Sequence, residues 1–209
     1  KFDLPNAKLW DLETPYLYQL HAAVLVNGTC TDRLAQQFGM RSFTQDTESP
    51  QRKGMFYLNG RSIRLRGANT MGFEQQDVLR GDLPQLIDDI LLAKLCNMNF
   101  LRLTQRPVQD EVYEYCDKLG LMTQTDLPLF GVMRRFRVPE GIRQAEELAR
   151  MVRKHPCNVI ISYINEPFPN ANNEPHRHLI RPELENFFTY CDLVVKFSNP
   201  DQVIKHVDG

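Results

Sequence analysis

The chain has 209 residues, of which 42% are hydrophobic, so it can bury a core. Its 25 basic and 26 acidic residues give a net charge of -1, which offers no electrostatic reason to expect a nucleic acid or an anionic membrane as partner. The 5 cysteines lack a Cys-x-x-Cys spacing, which argues against a disulfide-rich scaffold. No apolar run approaches the roughly 20 residues of a membrane span. Residue 1 is not Met, so we expect the native N-terminus to lie elsewhere and leave the compartment open.

Residues 1–50 are predicted to be β-structure. The segment LYQLHAAVLV alternates in part and ends at Asn27-Gly28, a dipeptide typical of two-residue hairpins. LAQQFGMRSFTQ is a further extended segment, and the polar QDTESPQRKG follows it. No helix longer than a turn or two fits this region. We therefore expect residues 1–50 to be the end of an all-β domain.

From Gly54 onward, strands alternate with helices. MFYLNGRSIRLRGAN predicts two strands joined at Asn59-Gly60. The later segments repeat at a spacing of roughly 30 to 40 residues, which is typical of βαβ units and a parallel sheet. The predicted helices are DLPQLIDDILLAKLC, QDEVYEYCDKLG, PEGIRQAEELARMVRKHP and PELENFFTYCDLVVKFS. The predicted strands between and after them are MNFLRL, LMTQT, NVIISYI and QVIKHV.

Two α/β architectures compete for this pattern. A doubly wound sheet favours a glycine-rich phosphate loop after its first strand, and LRGANTMG does not match G-x-G-x-x-G. A (β/α)8 TIM barrel places its chemistry at the carboxyl ends of the strands. The polar residues cluster there, at Asn69, Arg102 to Arg106, Asp126 and Asn165-Glu166. Since a complete barrel takes about 250 residues, we expect residues 51–209 to be its N-terminal part, about strands one to five.

The triplet Asn-Glu-Pro occurs at residues 165–167 and again at residues 173–175. Glu166 directly follows the apolar run VIISYI, which predicts a buried parallel strand and a position on rigid scaffold. Glu174 lies in PNANNEPHRH, a composition typical of a solvated loop. Cleavage of a glycosidic bond requires a carboxylic acid that stays protonated near neutral pH, which partial burial favours. Glu166 is therefore the candidate acid.

Several segments, in this order, resemble glycoside hydrolase family 2, the family of β-galactosidases, β-glucuronidases and β-mannosidases. LWDLETPYLYQL and FGMRSF resemble the C-terminal strands of that family's immunoglobulin-like β-sandwich. The first four barrel strands of the family are similar to FYLNGRSIRLRGAN, NMNFLRLTQRP, YEYCDKLGLMTQTDLP and VRKHPCNVIISYINEP. Other barrel glycosidases also carry Asn-Glu-Pro after strand four, but they lack the preceding sandwich segments.

The resemblance implies a retaining exo-β-glycosidase with Glu166 as general acid/base. It makes Asn165 the asparagine that binds the sugar, and Arg102 the arginine that orients the nucleophile. The family nucleophile follows strand seven, so we expect it to lie outside this chain and expect these residues alone to be inactive. A β-galactoside is the first expected substrate, because that activity is common in the family.

Three positions of the expected pocket depart from the usual family residues. The segment Asn69-Thr70-Met71-Gly72 stands after the first strand, where a basic residue and a histidine are common. Gln105 stands where a histidine is common, and Asp126 where a glutamate is common. Asn69, Gln105 and Asp126 are therefore candidates for binding the substrate. Arg106 favours either an acidic sugar or a structural ion pair.

Other functions remain as alternatives. The chain can be a non-catalytic carbohydrate-binding or scaffold protein on a glycosidase-like fold. His176-x-His178 is a weak metal motif, and a pair of solvated histidines is the simpler interpretation. We expect no metal and no cofactor. The expected partner is a glycoside or oligosaccharide, and association into a homo-oligomer is left open.

Overall fold

The computed structural model describes residues 3–131, 135–167 and 176–208, without the side chains of Arg135 and of residues 176–181. An antiparallel hairpin begins the chain, and its turn is the predicted Asn27-Gly28, with φ angles of 50° and 80°. Its strands are β1 (Tyr18–Val26) and β2 (Thr29–Phe38).

A small antiparallel sheet with the order β3-β4-β5 follows the hairpin. It corrects two predictions: the extended segment after the hairpin is interrupted at residues 39–42, and the strand after Asn59-Gly60 ends at Ile63 rather than continuing into the barrel. The sheet also crosses residue 50, so the division into 1–50 and 51–209 stays a prediction. The strands are β3 (Phe43–Gln45), β4 (Phe56–Leu58) and β5 (Arg61–Ile63).

The remaining strands form a parallel sheet of five strands whose spatial order follows the chain order. A doubly wound sheet reverses direction at a switch point, whereas a barrel adds each strand beside the last. The sequential order therefore confirms the predicted partial (β/α)8 barrel. The strands are β6 (Gly67–Thr70), β7 (Phe100–Leu103), β8 (Met122–Asp126), β9 (Asn158–Asn165) and β10 (Val203–Asp208).

Helices connect the parallel strands, and three match their predicted segments closely. Pro84 lies in the first turn of the second helix, and Gly120 ends the third. No helix within the described ranges is long and apolar enough to span a membrane. The helices are α1 (Phe73–Arg80), α2 (Leu83–Leu95), α3 (Asp110–Leu119), α4 (Val138–Val152) and α5 (His176–Ser198), with a short 3-10 helix at Arg135–Arg137.

Two helical features differ from the sequence predictions. The helix α1 was not predicted, because its buried residues are the acidic Glu74 and Asp77 rather than an apolar stripe. The helix α5 begins at His176 and contains Pro182, so the assignment of residues 176–178 to a loop was wrong. Glu174 and the side chains of His176 and His178, the weak metal motif, lie outside what the structure describes.

The N-terminal segment docks against the amino-terminal end of the parallel sheet. Trp10 is fully buried, and its Nε1 donates a hydrogen bond of 2.8 Å to the carbonyl oxygen of Asp117. Arg41 donates from Nη2 to the carbonyl oxygen of Asn158 at 2.6 Å, at the first residue of β9. Burial lowers the pKa of Arg41 to about 10, so its guanidinium remains charged at neutral pH. These long-range contacts fix the N-terminal segment to the barrel.

Gly120 is a point of close approach between the two regions. Its φ is 71°, and a Cβ there would lie 2.3 Å from the carbonyl oxygen of Leu12. Gly28 has a similar φ of 80°, but no atom lies within 4 Å of a Cβ built there. A substitution at Gly28 therefore measures the cost of the backbone conformation without the contact to Leu12.

We expect Gly28→Ala to cost about 1–2 kcal/mol, the penalty of the left-handed conformation alone. Gly120→Ala should cost about 1–3 kcal/mol more, because the backbone of Leu12 must also shift. Urea unfolding of both variants measures the difference. Equal costs would show that Leu12 does not lie against Gly120.

Candidate active site

Polar side chains converge where the parallel strands end. Residues at or near the carboxyl ends of β7, β8, β9 and β10 are Arg102, Asp126, Asn165 and Asp208, and all of them are buried. Parallel strands bring their carboxyl ends to one edge of a sheet, so residues distant in sequence meet here. This edge is the candidate site.

The guanidinium of Arg102 holds this edge together. Its Nε and Nη2 donate to Oδ2 of Asp126 at 3.0 and 2.6 Å, and Nη2 also donates to Oδ1 of Asn165 at 2.5 Å. The Arg102 side chain is only 11% exposed and that of Asp126 only 2%, so this is a buried ion pair. A buried cation needs such partners, because an unpaired charge in this position would be strongly unfavourable.

Gln124 and Asp208 extend these contacts to β10. Gln124 Nε2 donates to Oδ1 of Asp126 at 3.0 Å and also to Oδ2 of Asp208. Arg102 Nε lies 3.4 Å from the same oxygen of Asp208. We refer to Arg102, Gln124, Asp126, Asn165 and Asp208 as the arginine network.

Asp208 is ionised within this network. Burial works to raise the pKa of Asp208, but the hydrogen bond from Lys205 and the charges of Arg102 and Lys205 outweigh it. The pKa of Asp208 is therefore below the ordinary value of an aspartate. Lys205 is half-exposed, and its Nζ pairs with Oδ1 of Asp208.

Glu166 is the first residue after β9 and is half-buried. Its φ of 46° lies in the left-handed region, which residues with a side chain seldom adopt. Its backbone N–H donates to the carbonyl oxygen of Asp208 at 2.6 Å. The residue before it is also fixed, because Asn165 exchanges backbone hydrogen bonds with Leu129 and Gly131. Glu166 therefore stands on a rigid part of the chain at the carboxyl edge of the sheet.

The other predicted pocket residues take different places. Gln105 has a φ of 67° and donates its backbone N–H to Oδ2 of Asp126 at 3.2 Å. Asn69 is exposed on β6 and pairs in register with Arg102. The structure thus joins Arg102, Asp126, Asn165 and the backbone of Gln105 directly, and it places Asn69 beside them on the adjacent strand.

Arg106 is exposed and lies near α1 rather than in the arginine network. A Cβ built on Gly72 would be 3.3 Å from Nη2 of Arg106. Burial raises the pKa of Glu74, and the charge of Arg106 acts in the opposite direction. Both interpretations of Arg106, an acidic sugar and a structural ion pair, stay predictions.

Sequence reasoning missed Gln124 and Asp208. Asp208 directly follows the predicted strand QVIKHV, so the rule that selected Asp126 and Glu166 could have found it. Gln124 lies within β8, a buried parallel strand with the sequence MTQTD, where apolar residues are usual. A polar residue at such a position indicates a specific buried contact.

The side chains at this edge of the sheet are arranged as donors and acceptors of hydrogen bonds to one another. Among the described residues, no group of three or more His, Cys, Asp or Glu side chains is arranged to hold a metal ion. The expectation that the site uses neither a metal nor a cofactor stays a prediction.

The buried ion pair makes a testable prediction about stability. We expect Asp126→Ala to lower the free energy of unfolding by about 3–5 kcal/mol, because it leaves the Arg102 guanidinium short of its main partner. The double variant Arg102→Met/Asp126→Leu should cost less than the sum of Arg102→Met and Asp126→Leu, each measured alone. Denaturant unfolding provides all of these values.

Arg143→Ala is the control, because Arg143 and Glu140 form an exposed ion pair on α4. It should leave stability nearly unchanged. A double variant whose cost equals the sum of the single variants would show that Arg102 and Asp126 are not coupled.

Comparison with known proteins adds independent information. The model of glycosyl hydrolases family 2 matches residues 1–41, and the model of the family's TIM barrel domain matches residues 51–185. A protein of Formosa agariphila provisionally named a β-glucuronidase is 36% identical over 128 residues, which are 60% of this chain and 15% of that protein. A β-galactosidase of Lactococcus lactis subsp. lactis is 28% identical over 179 residues, 81% of this chain and 17% of that protein. The chain thus spans less than a fifth of each curated relative's length.

The solved structures show the same fold. The crystal structure of a Bacteroides uniformis β-glucuronidase matches 95% of this chain and 24% of its own, with a TM-score of 0.74 and 24% sequence identity. At this identity the likeness is one of fold alone, and it agrees with the partial barrel described above.

Proposed function

Since this chain belongs to glycosyl hydrolases family 2, we propose that it is part of a retaining exo-β-glycosidase that removes terminal β-linked sugars. The observation that carries the proposal is the position of Glu166. It is a half-buried carboxyl group on rigid backbone at the carboxyl edge of a parallel barrel sheet, directly beside the anchored Asn165. Active sites of TIM barrels lie at this edge.

Glu166 acts as general acid and then as general base in this proposal. It protonates the leaving glycosidic oxygen in the first step, and in the second step it takes a proton from the attacking water. A second carboxylate about 5–5.5 Å away must form the glycosyl-enzyme bond. We assign that nucleophile to sequence outside this chain, and therefore expect these residues alone to be inactive.

Asn165 and Arg102 prepare the site for the sugar. Because Arg102 occupies Oδ1 of Asn165, the amide NH2 of Asn165 is the group suited to donate to the sugar's 2-hydroxyl. Hydrogen bonds to this hydroxyl strengthen in the transition state. Arg102 supplies a fixed positive charge that can also orient the anionic nucleophile. Asn69, Gln105 and Asp126 are proposed to border the sugar, although Asp126 acts first as the partner of Arg102.

We propose a β-galactoside as the first substrate to test, and a β-glucuronide as the second. The names of the two curated relatives support one sugar each. The sugar is therefore the finer part of the proposal.

A non-catalytic carbohydrate-binding protein is the alternative. The departures from the usual family residues at Asn69, Gln105 and Asp126 favour it, because they lie where the family contacts its substrate. If the protein is a glycosidase, replacing Glu166 lowers the rate of hydrolysis. If it is a non-catalytic binding protein, the replacement changes only the affinity for the sugar.

The test is hydrolysis of a panel of nitrophenyl β-glycosides by the full-length protein and its Glu166→Ala variant. With these good leaving groups, we expect Glu166→Ala to lower kcat by about 10²- to 10⁴-fold, the usual contribution of general acid–base catalysis, because the second step loses its general base. Added azide should partly restore turnover of nitrophenyl substrates, because it replaces the water that Glu166 would activate. The product should be a glycosyl azide of β configuration, as retention requires.

Glu174→Ala is the matched control, since Glu174 stands in the same Asn-Glu-Pro triplet. It should hydrolyse the panel at the unsubstituted rate. Sugar binding without hydrolysis across the panel would favour the non-catalytic alternative. A loss of rate in Glu174→Ala but not in Glu166→Ala would show that the wrong triplet was chosen.

A further inference from the structure

Asp208 connects the backbone of Glu166 with the buried Arg102. It ends β10, and only 5% of its surface is exposed. In the parallel register Asp208 lies beside Asn165, the residue before Glu166. Its main chain and its side chain therefore reach different parts of the same site.

The carbonyl oxygen of Asp208 fixes the turn at Glu166. It accepts the Glu166 N–H at 2.6 Å, at the residue whose φ is 46°. A left-handed conformation at a residue with a side chain persists only when neighbouring contacts hold it. Any displacement of the end of β10 would therefore change the direction of the Glu166 carboxyl group.

The carboxylate of Asp208 fixes the end of β10 in return. One oxygen receives Gln124 and faces Arg102 at 3.4 Å, while the other pairs with Lys205. These partners come from β7, β8 and β10 itself, so the carboxylate ties three strands together at the level of Glu166. Asp126 shares both Arg102 and Gln124 with Asp208, which makes the two carboxylates parts of one unit.

We propose that Asp208 is a positioning residue for Glu166: its carboxylate anchors the end of β10 to Arg102, Gln124 and Lys205, and its carbonyl oxygen holds the Glu166 backbone. It touches neither the sugar nor the reacting atoms. This inference rests on the proposed function, because the value of positioning Glu166 depends on Glu166 being the acid.

The charged groups around Asp208 predict how its replacement changes the pH dependence of kcat/KM. Asp126 and Asp208 are the acidic groups, and Arg102 and Lys205 are the basic ones. Replacing Asp208 by Asn keeps the shape and removes one negative charge, so it favours the ionised form of nearby carboxyl groups. Both limbs of the pH profile of kcat/KM should then move to lower pH.

The experiment compares Asp208→Asn with Asp192→Asn in the full-length protein. Asp192 is a matched control, because its carboxylate is also paired, with Tyr163 and His206, but belongs to α5 and not to the arginine network. For a substrate with a poor leaving group, we expect Asp208→Asn to lower kcat on the order of 10- to 100-fold, the scale of a small misplacement of a reacting group. KM should change little, and Asp192→Asn should leave kcat and the pH profile unchanged.

A purely structural role predicts a different result, in which kcat falls only with the folded fraction and the limbs of the pH profile stay in place. That result, or an unchanged kcat, would overturn the inference. Crystal structures of the unsubstituted protein and of Asp208→Ala give a readout that needs no activity. We expect the Arg102 guanidinium and the Glu166 backbone to move in Asp208→Ala.

The two proposals fail in distinguishable ways. If the unsubstituted protein cleaves no β-glycoside, the proposed function fails, and the crystal structures still decide whether Asp208 positions Glu166. If the Glu166 backbone keeps its position in Asp208→Ala, the inference is wrong, whether or not the unsubstituted protein cleaves a β-glycoside. If Asp208→Ala does not fold, Asp208→Asn is used for the structure, and the same displacement of Arg102 and Glu166 is required.

Discussion

The buried guanidinium of Arg102 is the interaction on which the rest of the carboxyl edge depends. A cation at this depth requires fixed acceptors, because unpaired burial of a charge is strongly unfavourable. Those acceptors come from the ends of three other strands, at Asp126, Asn165 and Asp208. Once Arg102 is placed, the ends of β8, β9 and β10 must be polar and must stand at the same level. Glu166, one residue beyond Asn165, is then fixed by the same constraint.

The two ends of the parallel sheet carry different tasks. At the amino-terminal end, Trp10 and Arg41 bind backbone carbonyl groups at α3 and β9, and Gly120 allows the chain to approach Leu12 closely. These contacts join distant regions of the chain. At the carboxyl end, the side chains bind one another and surround Glu166. Because these contacts fix the amino-terminal end of the sheet, the carboxyl end can hold residues in the strained left-handed conformation, such as Glu166 and Gln105.

Most of the barrel could be predicted from the sequence, and the failures have physical reasons. Apolar periodicity identified α2 and α3, and the apolar run before Asn165 identified β9, because burial determines both patterns. The same rule missed α1, whose buried residues Glu74 and Asp77 are acidic. It also placed the start of α5 too late, because Pro182 is more typical of a helix start than of a helix interior.

In the candidate site, too, some features could be predicted from the sequence and others could not. The position of a polar residue after a strand is a local property, so Asp126, Asn165 and Glu166 could be selected from the sequence. Which residues contact one another is not a local property, because Arg102 and Asn165 are 63 residues apart in the sequence. Gln105 shows the difference, because it was chosen for its side chain and contributes its backbone N–H to Asp126. No pattern of residue types distinguishes these two uses.

Charge balance in the arginine network limits what the network can do to Glu166. The two carboxylates of the network, Asp126 and Asp208, face Arg102 within it and Lys205 beside it, so these four groups together are close to neutral. The pairs are not equivalent, because Lys205 is half-exposed and its charge is partly screened by water, whereas Arg102 is not. The network therefore acts on Glu166 through the main chain: Arg102 holds Asn165, and the carbonyl oxygen of Asp208 accepts the Glu166 N–H. In a retaining site the nucleophile loses its negative charge when the glycosyl-enzyme bond forms, whereas ion pairs such as these keep their charges and hold the geometry throughout.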